Sequence, residues 1–109
     1  MALKKQYSHN KKECKITFIL PQEIMSNFSK VSLVGDFNNW HPDVNVFTEN
    51  QADGSYSVEV ILPSEHDYQF RYLCDGVQWF NEPEADKQVD TYVAGSKNSV
   101  ITVWSLDNC

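Results

Sequence analysis

Apolar and polar residues alternate with a period of two along much of this chain. From Lys15 to Leu20 the side chains of Ile16, Phe18 and Leu20 fall on one side, which predicts a half-buried strand closed by Pro21. Tyr56 to Leu62 repeats the pattern, with Tyr56, Val58, Val60 and Leu62 set against Ser57, Glu59 and Ile61, and Pro63 ends it. Tyr68 to Cys74 puts Tyr68, Phe70, Tyr72 and Cys74 on one face and Gln69, Arg71 and Leu73 on the other, so Arg71 points away from the aromatic row. Val31 to Val34 and Ser99 to Trp104 supply two more β-rich runs. Val44 to Phe47 and the segment around Trp79 supply two brief ones.

Turn residues separate these runs at Gly35-Asp36, Asp53-Gly54 and Asp75-Gly76. Asp53-Gly54 lies between Val44 to Phe47 and Tyr56 to Leu62 and predicts a hairpin with a long loop. Gln22 to Lys30 carries at most a helical turn around Glu23 to Phe28 and reads as a connection, and Asn81 to Ala94 reads as a polar loop. Short strands with turn signals at intervals of roughly ten residues predict an all-β fold, an antiparallel β-sandwich of immunoglobulin-like size. Its expected core is Val31, Leu33, Val58, Val60, Phe70, Tyr72 and Val100 or Ile101.

Length and charge narrow the reading. A chain of 109 residues suits one domain with one modest core. The expected organisation is a flexible segment over 1–14, the sandwich over 15–104 and a tail over 105–109. The lysines at Lys4, Lys5, Lys11, Lys12 and Lys15 read as a solvated start. A net charge of -6 argues against nucleic acid or an anionic membrane as the main partner and favours a neutral ligand. Cys14, Cys74 and Cys109 are widely spaced, with no Cys-x-x-Cys pair, and read as reduced thiols of a cytoplasmic protein. No signal-peptide pattern or apolar run of bilayer length is present.

Catalytic patterns are scarce. His9, His41 and His66 lack metal-site spacing, and the four glycines form neither a nucleophile elbow nor a phosphate cradle. The chain is therefore expected to be no enzyme and to need no cofactor. Asp36, Asp75, Glu82 and Glu84 could in principle include a glycosidase pair. Asp36 and Asp75, however, sit in turns, where aspartate commonly caps its own backbone.

The chain does offer aromatic rings beside amides. In Gly35-Asp-Phe-Asn-Asn-Trp40 a tryptophan follows two amides in a segment too polar for a core strand. Its flat apolar face suits the C–H face of a pyranose. Sugar hydroxyls would then need partners such as Arg71 and Asn98, with Trp79 as a second ring. Each also has a plainer reading. Trp40 could plug the gap between sheet and loop, and Trp79 could pair with an aromatic residue across its hairpin. Arg71 could bridge to Glu59 or Asp75 on a solvated face, and Asn98 could form a turn.

Gly35 to Trp40, Phe70 to Gly76 with Trp79, Asn81 to Asp86 and Asn98 to Val103 together resemble carbohydrate-binding module family 48. This group includes the glycogen-binding domain of the AMP-activated protein kinase beta subunit and the early-set domain of isoamylases and branching enzymes. The resemblance spans about Lys15 to Val103 and implies an early-set sandwich that binds α-1,4-glucan, such as glycogen, starch or maltooligosaccharide, without cleaving it. Trp40 and Trp79 fall on the two stacking tryptophans, Trp79 after one extra residue in the preceding turn. Arg71 falls on a hydrogen-bonding lysine, Asn98 on an asparagine, and Ser96 could replace a threonine hydroxyl. There are two departures: Ala94 falls near a leucine that touches the sugar, and arginine's planar fork is not equivalent to lysine. The expectation is a free-standing glucan-binding module, with a glycogen- or starch-metabolising enzyme as a further partner. The alternative is a protein-interaction or self-association domain on the same scaffold.

Overall fold

The alternating runs ending at Pro21 and Pro63 build one sheet. In the computed structural model, which describes residues 2–49, 52–91 and 96–104, strand β2 runs from Glu13 to Leu20 and buries Cys14, Ile16, Phe18 and Leu20. Each faces an inward residue of β6 (Tyr56–Pro63): Cys14 meets Leu62, Ile16 meets Val60, Phe18 meets Val58 and Leu20 meets Tyr56. β1 (Ala2–Tyr7) and β5 (Thr48–Glu49) complete an antiparallel sheet in the order β1-β2-β6-β5.

The second sheet is built around β7 (His66–Cys74). It is flanked on one side by β3 (Val31–Gly35) and β4 (Asn45–Val46), and on the other by β10 (Lys97–Val103) and β9 (Lys87–Asp90), in the order β4-β3-β7-β10-β9. β8 (Gln78–Phe80) also pairs with β7. Phe18, from the first sheet, meets Phe70 edge-on with ring centroids 5.2 Å apart, and Tyr72 packs between Phe70 and Phe47. Such pairs contribute about 0.5 to 1.5 kcal/mol beyond their burial. Two antiparallel sheets thus pack through a shared apolar core, a β-sandwich arrangement. Of the two expected alternatives, Ile101 enters the core, whereas Val100 is buried on the opposite face of its strand.

Several elements differ from the sequence reading. The lysine-rich start is no solvated tail between Ala2 and Tyr7, because it pairs with β2 along its whole length. Leu3 and Tyr7 pack on the core, and Lys5, on the same side of the strand, carries its ammonium to Asp86 at 2.7 Å and to the Thr102 carbonyl at 2.9 Å. The expected strand at Val44 to Phe47 splits in two: β4 joins β3, the chain crosses between sheets at the buried Phe47, and β5 forms the hairpin with β6. Part of the expected 81–94 loop is β9, whose polar side chains concealed it. A helical turn, Gln22–Met25, buries Met25. The 105–109 tail, Cys109 and Ala94 lie outside the described residues.

Lys5 and Asp86 tie the first sheet's edge to the second, which gives β1 a pH dependence. Burial acts to raise the Asp86 carboxyl, but hydrogen bonds from Lys5 and Thr102 outweigh it and leave it below its ordinary value of 3.8. A carboxyl depressed in the folded state stabilises above its unfolded pKa and loses that contribution as pH falls through the folded one. Acidification from pH 5 to about pH 3 is therefore expected to lower the protection of β1 amides, relative to their intrinsic exchange at each pH, before that of β2 and β7. Asp86→Asn should produce the same β1 exchange at neutral pH. Equal protection of β1 in this variant would show that the ion pair contributes nothing.

Candidate functional site

The outward face of the second sheet collects the residues of interest, because cross-strand partners share a face. Val34 on β3 stands opposite Arg71 on β7. Asn98 lies one step beyond the Ser99–Phe70 pair, which brings it opposite Arg71 on the other flank. Trp79 on β8 stands opposite Leu73, diagonal to Arg71. β7 shares this flank between β10, which pairs with it from His66 to Phe70, and β8, which pairs from Tyr72 to Cys74. Arg71 occupies the seam and reaches both strands.

Its guanidinium uses that position. Nε–H donates to Asn98 Oδ1, an Nη2–H donates to Ser96 Oγ at 2.6 Å, and Cζ lies 5.8 Å from the centre of the Trp79 ring, within cation–π range. Asn98 in turn donates from Nδ2 to Gln69 Oε1 at 2.9 Å. Beneath this polar layer Val34, Leu73 and Val100 are buried although they point away from the core cluster, so the face is a built surface. Trp79 itself is 47% exposed. Beside Asn98 a hollow is lined by Gln69, Asp90, Thr91 and Asn98.

Trp40 is tied to β7 through a turn that the sequence reading only partly explained. After β3 a single 3-10 turn, Asp36–Asn38, leads into Asn39 and Trp40, both in the left-handed region at φ 56° and 58°. Asn38 closes the loop: its Oδ1 accepts the Gly35 N–H, and its Nδ2 donates to the Leu33 carbonyl and to Asn45. The Trp40 N–H returns to the Gly35 carbonyl at 2.9 Å. Trp40 is half-buried, neither the sealed plug nor the freely exposed ring. Its indole N–H donates to Asp36 Oδ1 at 3.1 Å, while Asp36 Oδ2 accepts the backbone N–H of Gln69 at 2.8 Å.

All five residues singled out from the sequence are thereby joined in one run of contacts. It passes from Trp40 through Asp36 and Gln69 to Asn98, then to Arg71 and on to Ser96 and Trp79. Two connecting residues, Asp36 and Gln69, were missed. Gln69's place on the Arg71 face was legible in the alternation, but the role of Asp36 was not. Neither turn aspartate merely caps its own turn: Asp75 Oδ1 accepts the Ser29 and Lys30 amides at 2.9 Å. Arg71 bridges to Asn98 and Ser96 where Glu59 or Asp75 had been the plain alternatives.

The other candidate chemistry is structural. Glu82 is fully buried against the Tyr72 hydroxyl at 2.6 Å. Burial pushes the Cys14 and Cys74 thiols up, Cys74 to about 11 with help from the Asp75 charge, so both are protonated at neutral pH. Trp104 donates its indole N–H to Asp67 at 2.8 Å, which holds that carboxyl below its ordinary value. Among the described residues no group of three or more His, Cys, Asp or Glu side chains could hold a metal, and no helix is long and apolar enough to cross a membrane. No family model matches this chain, and no curated protein matches it as a relative.

Proposed function

We propose that this chain is a non-catalytic α-1,4-glucan-binding module of the family 48 type, on an immunoglobulin-like, early-set sandwich. The observation that carries the reading is the gathering of the exposed Trp79 indole with an arginine, two amides and a hydroxyl on one sheet face, to which the half-buried Trp40 is tied through Asp36 and the Gln69 backbone. A pyranose would lay its C–H face on Trp40 or Trp79. The N–H groups of Arg71 not engaged with Asn98 and Ser96, together with the side chains of Asn98, Gln69 and Ser96, would meet its hydroxyls. The choice of an α-linked glucan comes from the sequence resemblance.

Magnitudes set the expected strength. By analogy with base stacking, each indole contributes about 1 to 3 kcal/mol, which gives micromolar to millimolar affinity for a short oligosaccharide. A branched polymer then adds avidity. Trp40→Ala and Trp79→Ala should each weaken retention on glycogen by roughly tenfold or more in affinity electrophoresis, with little change in melting temperature. Unchanged retention in both variants would sink the reading.

A protein-docking role is the competing reading. The observation that favours it is β1, an edge strand whose ladder, among the described residues, is paired only with β2. Wild-type protein that ignores glucans but self-associates or co-elutes with a glycogen- or starch-metabolising enzyme would support it.

A further inference from the structure

Two consecutive non-glycine residues in the left-handed region are costly, and a tryptophan there is an outlier that its surroundings must enforce. Asn38 and the Trp40-to-Gly35 hydrogen bond fix the backbone. Neither fixes the ring. Only the Asp36 carboxylate holds the indole directly among the contacts described for it, and the same carboxylate is anchored on β7 through the Gln69 amide. That bond falls where the β3–β7 ladder would continue past the Gly35–Phe70 pair, so Asp36 substitutes a side-chain acceptor for the next ladder carbonyl. One rigid group therefore connects the Trp40 ring to the strand that carries Arg71.

We infer that Asp36 is a positioning residue: it orients the Trp40 ring on the sheet that bears Arg71 and Trp79, and so sets the geometry in which a glucan meets both indoles. The binding part of this inference rests on the glucan reading above. Asp36 itself contacts no sugar in this account. With its two oxygens engaged by the Trp40 and Gln69 N–H groups, its role is to spend the indole N–H on the protein and leave the ring face for stacking. An aspartate suits this because an ionised carboxylate accepts on both oxygens, whereas an amide has a single acceptor oxygen.

The test is Asp36→Asn, read in two ways. In proton–nitrogen NMR the Trp40 indole N–H signal should move upfield and exchange faster with water. The Trp104 indole, which bonds Asp67, should stay in place. In titration with maltoheptaose, Asp36→Asn should lose about tenfold in affinity, the scale of one charge-assisted hydrogen bond. Trp40→Phe keeps a ring but has no N–H, so adding Asp36→Asn to it should cost no further affinity, because the single acceptor oxygen of the amide is then free to keep the Gln69 N–H. An unchanged Trp40 signal, or an equal loss of affinity in the Trp40→Phe background, would overturn the inference while leaving the glucan reading intact. Wild-type protein that binds no maltoheptaose would instead remove the glucan reading, and with it the binding role of Asp36.

Discussion

Gly35→Ala is expected to destabilise the protein by about 3 kcal/mol, at the upper end of the usual cost of overpacking. The reason is closeness, since the glycine's backbone is extended and accessible to any residue. A Cβ at this position would lie 2.5 Å from the Gln69 carbonyl oxygen, 2.8 Å from Phe70 Cβ and 3.0 Å from the Phe37 ring. The first two atoms belong to or adjoin the β7 backbone and cannot swing aside. Relief requires β3 to separate from β7 and Phe37 to shift in its packing against Phe18 and Tyr68. For a domain of this size the melting temperature should fall by roughly 10 to 20 °C. The Trp40 N–H bonds the Gly35 carbonyl, so the same shift should also disturb the loop. A fall of less than about 3 °C would show that the β3–β7 contact is looser than described.

Tyr72→Phe should have a comparable effect for the opposite reason, loss of a partner. Glu82 is fully buried, and its carboxylate accepts from the Tyr72 hydroxyl at 2.6 Å and the Glu84 amide at 2.9 Å. Its backbone is tied as well, with the N–H donating to Ser99 and the carbonyl accepting from Gln88. The carboxylate therefore cannot turn to water without dismantling the loop. Removing the hydroxyl leaves a buried acceptor short of a donor, a cost of about 2 to 3 kcal/mol. Glu82→Gln, whose single acceptor oxygen can serve only one of the two donors, should also destabilise, and because the two residues share one hydrogen bond the double variant should cost less than the sum of Glu82→Gln and Tyr72→Phe.

Alkaline pH supplies a second readout. Burial first, and the Glu82 charge next, push the Tyr72 hydroxyl far above its ordinary value of 10.0. A group whose pKa is raised in the folded state contributes its stability in full below the unfolded value. Above about pH 10 the unfolded chain releases the proton while the folded one keeps it, so stability falls as pH rises. Denaturant melts from pH 8 to 11 should show this slope in the wild type and a shallower one in Tyr72→Phe. Identical slopes would mean that Tyr72 ionises freely in the folded protein.

What could be read from the sequence was local. Ile16, Phe18 and Leu20, and then Tyr68, Phe70 and Tyr72, announce their strands because a period of two needs only neighbouring residues. It also gave the face on which Arg71 lies. The partners of that face were not legible, since the meeting of Arg71 with Asn98 depends on the β7–β10 register, set by contacts across the sheet. β1 was hidden because Lys5 interrupts the inward row between Leu3 and Tyr7, and nothing local reveals that Asp86 receives its ammonium. Glu82 was hidden likewise, as a charged residue in a polar stretch whose partner lies on β7. Asp36 has the sequence setting of an ordinary turn aspartate, and only the fold brings its two oxygens to Trp40 and Gln69.

The central claim is that Trp40 and Trp79 form one glucan platform, and intrinsic tryptophan fluorescence during titration with maltoheptaose tests it most directly, with cellohexaose as the linkage control. A saturable change with the α-linked sugar alone, lost in Trp40→Ala, is the expected result. No change with either sugar, or an equal response to both, would contradict it.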